Sequence, residues 1–273
     1  MQRTCPAPNE VNLIHFRIGD GFMLNQNLIN ASAYSASVSA NNPLLLPNTF
    51  HNADCMDIMR QMRSNSVTMT LVDIPYNECN RKHGSLRSLD KGMADILTFD
   101  LQEFLSEVTR VTSGTAIIFC GRKQYSEIDT FFSGQNGTVR QLIWEKTNPS
   151  PMNGKLIYLS GIENAVWFRK SGAVFNAHCK NTVFRYPVVG GKLRKLHPTI
   201  KPLALMEELI SDNSNASDIV FDPCAGSGST LLAARNLGRQ YLGVELNEDY
   251  YSIAVNRLAQ PEPTPKRSRK GRA

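Results

Sequence analysis

Short apolar runs alternate with amphipathic stretches along most of the chain. Buried apolar runs predict strands, and apolar residues at helical spacing predict helices. The strands are expected at 67–72, 115–120, 218–222 and 240–246, and the helices at 100–111, 201–212, 228–238 and 247–260. Two further runs, 139–146 and 163–170, alternate polar and apolar residues, which favours an antiparallel pair at a sheet edge. The pattern predicts an α/β fold with a mostly parallel sheet.

Composition divides the chain of 273 residues into three parts. Residues 1–47 contain no lysine and show no clear periodicity, so a weakly structured N-terminal extension is expected there. Residues 48–260 contain all the predicted strands and helices and should form one folded domain. Residues 261–273 hold five Lys or Arg and one Glu, which predicts a basic, disordered tail.

Several protein classes are excluded by simple counts. A hydrophobic fraction of 41% and a charged fraction of 20% exclude a wholly disordered chain, a collagen and a disulfide miniprotein. No apolar run approaches the ~18 residues that cross a bilayer, and no secretion signal is recognised, so no membrane partner is expected. The six cysteines include no C-x-x-C pair. They predict no metal site and fit a reducing cytoplasm.

One stretch of the predicted domain is strongly basic. From position 169 to position 201 there are eight Lys or Arg and no acid, with three aromatic residues between them. A run of one sign with aromatic residues favours contact with a polyanion such as nucleic acid, and an ordinary basic surface is the alternative interpretation.

A glycine-rich turn lies between a predicted strand and a predicted helix. The strand ends at Asp222, the turn follows over 223–230, and the next strand ends at the acid Glu245. Glycines let a backbone approach a ligand closely, and an acid at the end of the following strand can accept hydrogen bonds from ribose hydroxyls. This geometry predicts a nucleotide-type cofactor at the carboxyl edge of the sheet, although a tight turn without a ligand would have the same sequence pattern.

The turn also restricts the kind of cofactor. It lacks the Gly-Lys-Ser/Thr sequence of a P-loop, because no lysine precedes Ser229. The third glycine of a dinucleotide motif is replaced by Leu231. A nucleoside without phosphate groups, such as a sulfonium nucleoside, therefore fits the turn better than ATP or a dinucleotide does.

A second motif, Asp73-Ile74-Pro75-Tyr76, ends another buried strand. The carboxylate of Asp73 and the backbone carbonyl of Ile74 can accept hydrogen bonds from an exocyclic amino group, and Tyr76 can stack on a base. By itself this tetrapeptide is equally compatible with a strand that ends in a turn.

Together the two motifs resemble the amino DNA methyltransferases that use S-adenosylmethionine (SAM). The tetrapeptide 73–76 is similar to the Asp-Pro-Pro-Tyr catalytic motif of that family, and the turn 221–230 is similar to its cofactor motif. The catalytic motif comes first, which is the order of the circularly permuted beta class. Three further segments are also similar to the family: Asn52–Cys55, Trp144–Pro149 with Glu163-Asn164, and His197–Pro202. The resemblance covers about residues 48–260.

Three residues depart from the family pattern. Ile74 replaces a proline, Cys224 stands where the family often has phenylalanine, and Ala53 replaces a glycine. The pair Pro223-Cys224 also imitates the nucleophile of carbon-5 cytosine methyltransferases. That role is disfavoured here, because the cysteine lies inside the cofactor turn.

The resemblance implies a fold, a cofactor and a set of site residues. The implied fold is Rossmann-like, with a mostly parallel seven-stranded sheet, an antiparallel edge hairpin and helices on both faces. The implied catalytic residues are Asp73, Ile74, Pro75 and Tyr76. The implied SAM-binding residues are Asp54, Cys55, Asp73, Thr199, Lys201, Asp222, Pro223, Cys224, Ala225, Gly226, Ser227, Gly228, Ser229, Glu245 and Leu246.

Double-stranded DNA is the implied partner. Residues 171–196 are the candidate target-recognition segment, and 77–98 could close over a flipped base. The candidate DNA-binding residues are Arg81, Lys82, Arg185, Lys192, Arg194 and Lys195. The expected location is cytoplasmic and associated with the nucleoid. A homodimer and a companion restriction enzyme are left open by the sequence.

The predicted reaction is methylation of adenine N6 in DNA by direct displacement. Cytosine N4 is the first alternative, and the acid at position 73 favours adenine because the cytosine enzymes more often carry serine there. Methylation of RNA or of protein glutamine, and a non-catalytic nucleic-acid-binding module of the same fold, are the other hypotheses. The order of the motifs disfavours the former, and intact Asp73, Tyr76 and Glu245 disfavour the latter.

Overall fold

The computed structural model contains one mixed sheet of eight strands in the part of the chain that it describes, which is residues 46–77, 95–151, 155–191 and 199–260. The strands are β1 Thr49–Asn52, β2 Val67–Asp73, β3 Thr112–Cys120, β4 Gly137–Lys146, β5 Ile162–Lys170, β6 Val183–Tyr186, β7 Ile219–Asp222 and β8 Gln240–Glu245. Their order in the sheet is β1-β8-β7-β2-β3-β5-β4-β6. Strands β1, β8, β7, β2 and β3 are parallel, β5 is antiparallel to β3 and β4, and β6 is parallel to β4.

The predicted α/β fold with a mostly parallel sheet is confirmed, with two corrections. The sheet has eight strands rather than seven. The β4–β5 pair is antiparallel as predicted, but it is not at the edge, because β5 also pairs with β3 and β4 also pairs with β6. The two actual edges, β1 and β6, have four residues each, too few for a pattern of burial to identify them in the sequence.

Six helices connect the strands within the described ranges. They are α1 Cys55–Gln61, α2 Leu101–Val111, α3 Arg122–Ser133, α4 Leu203–Asn213, α5 Ser229–Asn236 and α6 Glu248–Leu258. Side chains cap three of them: Asp54 accepts from the Met56 N–H, Asp100 from Glu103 and Asn247 from Tyr250. The sequence pattern missed α3, because Ile128 and Phe132 are its only buried apolar residues.

The sheet has an apolar core on each face. Helices α1, α2 and α3 pack on one face, where Met59, Phe104 and Phe132 are fully buried. Helices α4 and α5 pack on the other face through residues such as Leu205 and Ala233. These layers fix the parallel strands β2, β7 and β8 side by side, so that their carboxyl ends open at one edge. No helix in the described ranges is both long and apolar enough to cross a bilayer.

The segments 1–45, 78–94, 152–154, 192–198 and 261–273 lie outside the described residues. The predicted extension, basic tail and closing loop fall there almost entirely. Of the candidate recognition segment, residues 171–191 are described, and they include the edge strand β6.

Candidate active site

Three neighbouring parallel strands end in acids at the same sheet edge. These are Asp73 on β2, Asp222 on β7 and Glu245 on β8. All three line one cavity of about 310 Å³, which lies at the carboxyl ends of the strands. Ligands bind at this position in open α/β sheets, and the volume is in the range of small-molecule sites.

The structure brings together the two motifs that are far apart in the sequence. Asp73, Ile74, Pro75 and Tyr76 all line the cavity. So do all the predicted cofactor residues except Gly228, namely Asp54, Cys55, Thr199, Lys201, Asp222, Pro223, Cys224, Ala225, Gly226, Ser227, Ser229, Glu245 and Leu246. The cavity is therefore shared by a candidate cofactor turn and a candidate catalytic turn.

The glycine turn is held by backbone geometry and by a buried arginine. Gly226 has a φ of 52°, and its N–H donates to Oε2 of Glu245 at 2.7 Å. Gly228 has a φ of 75°, and a Cβ there would lie 2.9 Å from Cβ of Ala254. A glycine is thus required at position 228 because a side chain there would clash with α6, and not because this residue contacts the cavity. Arg257 of α6 donates to the Ser227 carbonyl and, at 3.3 Å, to Oγ of Ser229.

Glu245 keeps acceptor capacity for a ligand. Its Oε2 accepts from Gly226 and its Oε1 accepts from the Asn247 N–H at 2.8 Å. The Leu246 N–H is a third backbone donor to this carboxylate. A carboxylate has about four lone-pair sites, so acceptor capacity remains for a ribose hydroxyl. Burial raises the pKa of Glu245, and the backbone N–H donors oppose that effect.

Asp222 is buried without a cation beside it in the described residues. Its Oδ1 accepts from the Cys224 N–H at 3.1 Å, and the Thr230 hydroxyl also bonds to it. Burial raises the pKa of Asp222 to about 7, which these neutral donors only partly oppose.

Cys224 is poorly suited to act as a nucleophile. A hydrogen bond with the Cys55 thiol and burial together raise the pKa of Cys224 well above its ordinary value. The thiolate is the reactive form of cysteine, and it is disfavoured here. This agrees with the sequence argument against a covalent mechanism.

Backbone and side-chain hydrogen bonds hold the catalytic turn. The Ile74 N–H donates to the Phe119 carbonyl at 3.2 Å, which extends the pairing of β2 with β3. Gln124 of α3 donates from Nε2 to the Pro75 carbonyl at 2.8 Å, while its Oε1 accepts from the Gly121 N–H at 2.9 Å. The turn is therefore anchored from a helix that the sequence pattern did not predict.

Asp73 belongs to a network of buried charges. Lys201 forms an ion pair with Oδ2 of Asp73, and the Tyr76 hydroxyl donates to Oδ1 at 2.8 Å. Lys201 also lies 3.0 Å from Oε2 of Glu163, and Lys146 lies 2.8 Å from Oε1 of Glu163. The Lys201 side chain is only 5% exposed, so its charge is balanced by these carboxylates rather than by water.

The network sets opposite pKa directions for its two carboxyls. Burial raises the pKa of Asp73, and Lys201 opposes this. Burial acts in the same direction on Glu163, but Lys201 and Lys146 lower its pKa to about 2. The same carboxylates raise the pKa of Lys201 against the effect of its burial. At neutral pH Glu163 is ionised and Lys201 is protonated.

The basic residues of the stretch 169–201 that the structure describes do not form one surface. Arg169 donates to the Ala173 carbonyl, Lys170 donates to the carbonyls of Thr109 and Thr112, and Lys180 pairs with Glu208 and Asp212. Lys201 is buried in the site. Arg185 is 68% exposed and lies 3.0 Å from Glu145. The other candidate DNA-binding residues, Arg81, Lys82, Lys192, Arg194 and Lys195, lie outside the described residues.

Sequence reasoning did not assign Lys146, Glu163, Gln124 or Arg257 to the site. Lys146 and Glu163 stand at the facing ends of β4 and β5, where charged residues are common at sheet margins. Gln124 and Arg257 are polar residues that are buried on their helices, which a helical pattern of apolar residues does not predict. The one usable signal for Glu163 was an acid near the start of a strand whose centre, Ala165–Phe168, is apolar.

The arrangement can perform a specific kind of chemistry. It places a buried carboxylate, a tyrosine and backbone carbonyls in the same cavity as a turn suited to a nucleoside. Such groups can orient an amino group and accept its hydrogens, whereas no activated nucleophile is present among the described cavity residues.

Comparison with known proteins gives consistent matches. A family model described as DNA methylase matches residues 67–256. The chain is 27% identical to the Type II methyltransferase M.HinfI of Haemophilus influenzae, over 80% of this chain and 70% of that protein. It is 25% identical to the Type II methyltransferase M2.MboI of Moraxella bovis, over 78% of this chain and 88% of that protein.

A solved structure agrees with these matches. The crystal structure of the M1.HpyAVI–SAM complex is similar with a TM-score of 0.62 and 29% identity, and the similarity covers 78% of this chain and 99% of that chain. The predicted family is confirmed, and the family model spans both strands that carry the two motifs. The chain belongs to the DNA methylase family.

Proposed function

We propose that the protein transfers a methyl group from SAM to the N6 amino group of adenine in double-stranded DNA. The observation that carries this proposal is the single cavity shared by Asp73 and the glycine turn that follows Asp222. Two motifs separated by about 150 residues of sequence meet there. A donor and an acceptor of a group must lie this close for direct transfer.

The cavity residues fit SAM. Glu245 can accept from ribose hydroxyls, Gly226 lets the ligand approach the backbone, and the absence of a lysine in the turn disfavours a phosphate. Asp54 caps α1 through Oδ1. Its other carboxylate oxygen can accept a hydrogen bond from the amino group of the SAM adenine, which is the role that the family resemblance implies for this acid. When bound, SAM supplies an electrophilic methyl group. The M1.HpyAVI structure was solved as a SAM complex, which supports the same ligand here.

The residues of this chain would orient the substrate and hold its proton. The amino nitrogen of a base is conjugated and a weak nucleophile. Asp73 and the Ile74 carbonyl accept its two hydrogens, which favours a localised lone pair directed at the methyl group. Orientation of this kind contributes about 7–11 kcal/mol in well-aligned systems. Asp73 then receives the proton that the methylated nitrogen loses, because it is the carboxylate within reach.

The target base must leave the duplex to enter the cavity. Flipping costs a few kcal/mol, and stacking on an aromatic ring returns roughly 1–3 kcal/mol. Tyr76 lines the cavity and is fixed by its hydroxyl, so its ring is a suitable stacking partner. Arg185 is proposed as a phosphate contact because its side chain is exposed at the sheet edge.

The test identifies the methylated product. Purified protein is incubated with labelled SAM and with DNA, RNA or protein, and labelled DNA is hydrolysed for mass spectrometry, with Asp73→Ala as the control. N6-methyladenine is expected. N4-methylcytosine would assign the protein to the alternative base. Label in RNA or protein alone, or binding of DNA without any transfer, would refute the proposal.

The biological setting is also proposed rather than observed. Both curated relatives are named Type II methyltransferases, which supports a companion restriction enzyme. A cytoplasmic, nucleoid-associated location follows from a DNA substrate, and a homodimer stays a prediction.

A further inference from the structure

We propose that Glu163 is a positioning residue, which restrains Lys201 and Tyr76 so that the Asp73 carboxylate stays available to the target amino group. This inference rests on the proposed function and assigns a role to a residue that neither motif contains. Glu163 lies on β5, the strand that runs antiparallel to the rest of the cavity edge, 87 residues after Tyr76.

Glu163 contacts two lysines and one tyrosine. Its Oε2 lies 3.0 Å from Nζ of Lys201 and 3.1 Å from the Tyr76 hydroxyl. Its Oε1 lies 2.8 Å from Nζ of Lys146. Both oxygens are thus engaged, and the side chain is only 20% exposed. The one hydroxyl hydrogen of Tyr76 goes to Asp73, so the two ammonium groups are what hold Glu163. Nζ of Lys201 also donates to the Tyr76 hydroxyl at 3.2 Å, so Glu163 fixes Lys201 and, through Lys201, Tyr76.

Tyr76 and Lys201 compete with the target base for the carboxylate oxygens of Asp73, and Glu163 can reduce this competition. Its two oxygens already accept from Tyr76 and Lys201, while the reaction requires it to accept a hydrogen from the base. Each oxygen has a second lone pair for that hydrogen. An ammonium attracted only by Asp73 would cover the carboxylate, whereas an ammonium shared with Glu163 leaves that second position open.

The charges of the network are balanced. Two carboxylates, Asp73 and Glu163, face two ammonium groups, Lys201 and Lys146. Loss of the Glu163 charge leaves one excess positive charge beside Asp73, and loss of the Lys201 charge leaves one excess negative charge. The first change stabilises ionised Asp73 and the second destabilises it, in agreement with the directions in which Glu163 and Lys201 act on the pKa of Asp73.

Other titratable groups near Asp73 do not reverse these signs. Tyr76 is held protonated, since burial and the two carboxylates raise its pKa far above neutrality. Cys120 lies near Tyr76, and Asp73 is close enough to Asp222 to raise the pKa of the Asp222 carboxyl. Asp222 changes charge within the assayed pH range in the wild type and in both variants. The shift of each variant relative to the wild type, rather than the absolute midpoint, therefore reports on Glu163 and Lys201.

The experiment measures single-turnover methyl transfer to duplex DNA from about pH 5 to pH 9 with the wild type, Glu163→Gln and Lys201→Met. The acid limb is the low-pH side of the pH–rate profile, where the rate rises as Asp73 ionises. Its midpoint should move to lower pH in Glu163→Gln and to higher pH in Lys201→Met, each by about half a pH unit or more. Lys201→Arg should return the limb towards its wild-type position. The rate plateau of Glu163→Gln should fall, because Lys201 then covers Asp73.

The chain offers a matched control. Glu208 on α4 also binds one lysine and one tyrosine, with Lys180 at 2.7 Å and the Tyr186 hydroxyl at 2.5 Å, and it does not line the cavity. Glu208→Gln should leave the acid limb and the plateau unchanged.

Two outcomes would overturn the role of Glu163. One is a lower rate in Glu163→Gln with an unmoved acid limb, and the other is a limb that moves in the same direction in Glu163→Gln and Lys201→Met. If wild-type protein transfers no methyl group to DNA, the proposed function fails instead.

A second measurement does not require activity. Carbon-13 NMR of labelled aspartate carboxyls, without SAM or DNA, follows the titration of Asp73 in the wild type and in Lys146→Met. Removal of the Lys146 charge should move the Asp73 midpoint upwards, which keeps the proposal testable if Glu163→Gln does not fold. An unchanged midpoint would contradict the coupling.

Discussion

Two adjacent strands of the sheet end in buried aspartates that are stabilised in opposite ways. Asp73 ends β2 and is paired with Lys201. Asp222 ends β7, the parallel neighbour of β2, and is bonded only to the neutral donors Thr230 and the Cys224 N–H. Burial raises the pKa of both carboxyls, but among the residues that the structure describes only Asp73 has a cation in contact to oppose this effect.

The difference corresponds to the two proposed tasks. A group that accepts hydrogens from an amino group must be ionised, and a neighbouring ammonium favours that state. A group that faces a cationic ligand can be protonated in the free protein and lose its proton when the ligand binds. Asp222, with a pKa of about 7, is suited to the second behaviour. In the proposed function, the same residue type serves catalysis on one strand and cofactor binding on the next.

The largest expected effect comes from Asp73→Asn. The amide cannot accept the transferred proton, so methyl transfer should fall by about 10²–10⁴-fold. SAM binding should be little affected, because the glycine turn is held by Glu245 and Arg257. Rapid-mixing assays with labelled SAM measure the first quantity and calorimetry measures the second. If the transfer rate and SAM affinity fell together, the two aspartates would not have separate tasks.

The two aspartates should also respond differently to pH in stability measurements. Between the usual Asp value of 3.8 and about 7, folded protein retains a proton on Asp222 that the unfolded chain has lost. The free energy of unfolding therefore falls as pH rises through this window. Asp222→Asn removes this effect, so the variant should gain roughly 2–4 kcal/mol relative to the wild type between about pH 4 and pH 8.

Urea unfolding at several pH values checks this prediction. Asp73→Asn is the matched variant, and it should lose stability at pH 8, since it leaves Lys201 without one of its two carboxylates. A constant difference between Asp222→Asn and the wild type across the pH range would contradict the protonated state of Asp222.

Much of this comparison was available from the sequence. Apolar runs predicted four adjacent parallel strands, and three of these strands end in the acids that line the cavity. That inference works because parallel strands bring their carboxyl ends to one edge, whatever the length of the connections.

What could not be predicted depends on long-range pairing. The contact of Glu163 with Lys201 and Tyr76 requires the position of β5 in the sheet, which no local pattern encodes. The surroundings of the basic residues in 169–201 also depend on long-range contacts. Lys180 and Lys201 pair with acids from other segments, Glu208 and Asp73, so these two charges are balanced within the fold. The strand β6 was too short to be recognised.

A smaller effect is expected on the cofactor side from Arg257→Ala. The change removes the donor that holds the Ser227 carbonyl and leaves that carbonyl without its buried partner. A cost of about 1–3 kcal/mol is expected, seen as weaker SAM binding with the transfer rate at saturation retained. Arg239→Ala is the control, since Arg239 also binds main-chain carbonyls, of Leu237 and Ser214, away from the cavity. Equal weakening by both variants would show only general destabilisation.

The smallest effect is expected on the catalytic side from Gln124→Ala. Loss of the hydrogen bond to the Pro75 carbonyl should cost about 1 kcal/mol, which is roughly a fivefold lower transfer rate. SAM affinity should not change, and Gln102→Ala, at an exposed position on α2, should alter neither quantity. A fall in SAM affinity with an unchanged transfer rate would show that Gln124 supports the cofactor turn rather than the catalytic turn.

The most direct test of the account follows a methyl group that is already in the cavity. Protein is loaded with one equivalent of methyl-labelled SAM and mixed with duplex DNA and excess unlabelled SAM. The account predicts that the bound label enters DNA as N6-methyladenine before it exchanges, in wild-type protein but not in Asp73→Asn. Label that washes out of wild-type protein without entering DNA, although the protein binds both ligands, would contradict transfer in this cavity.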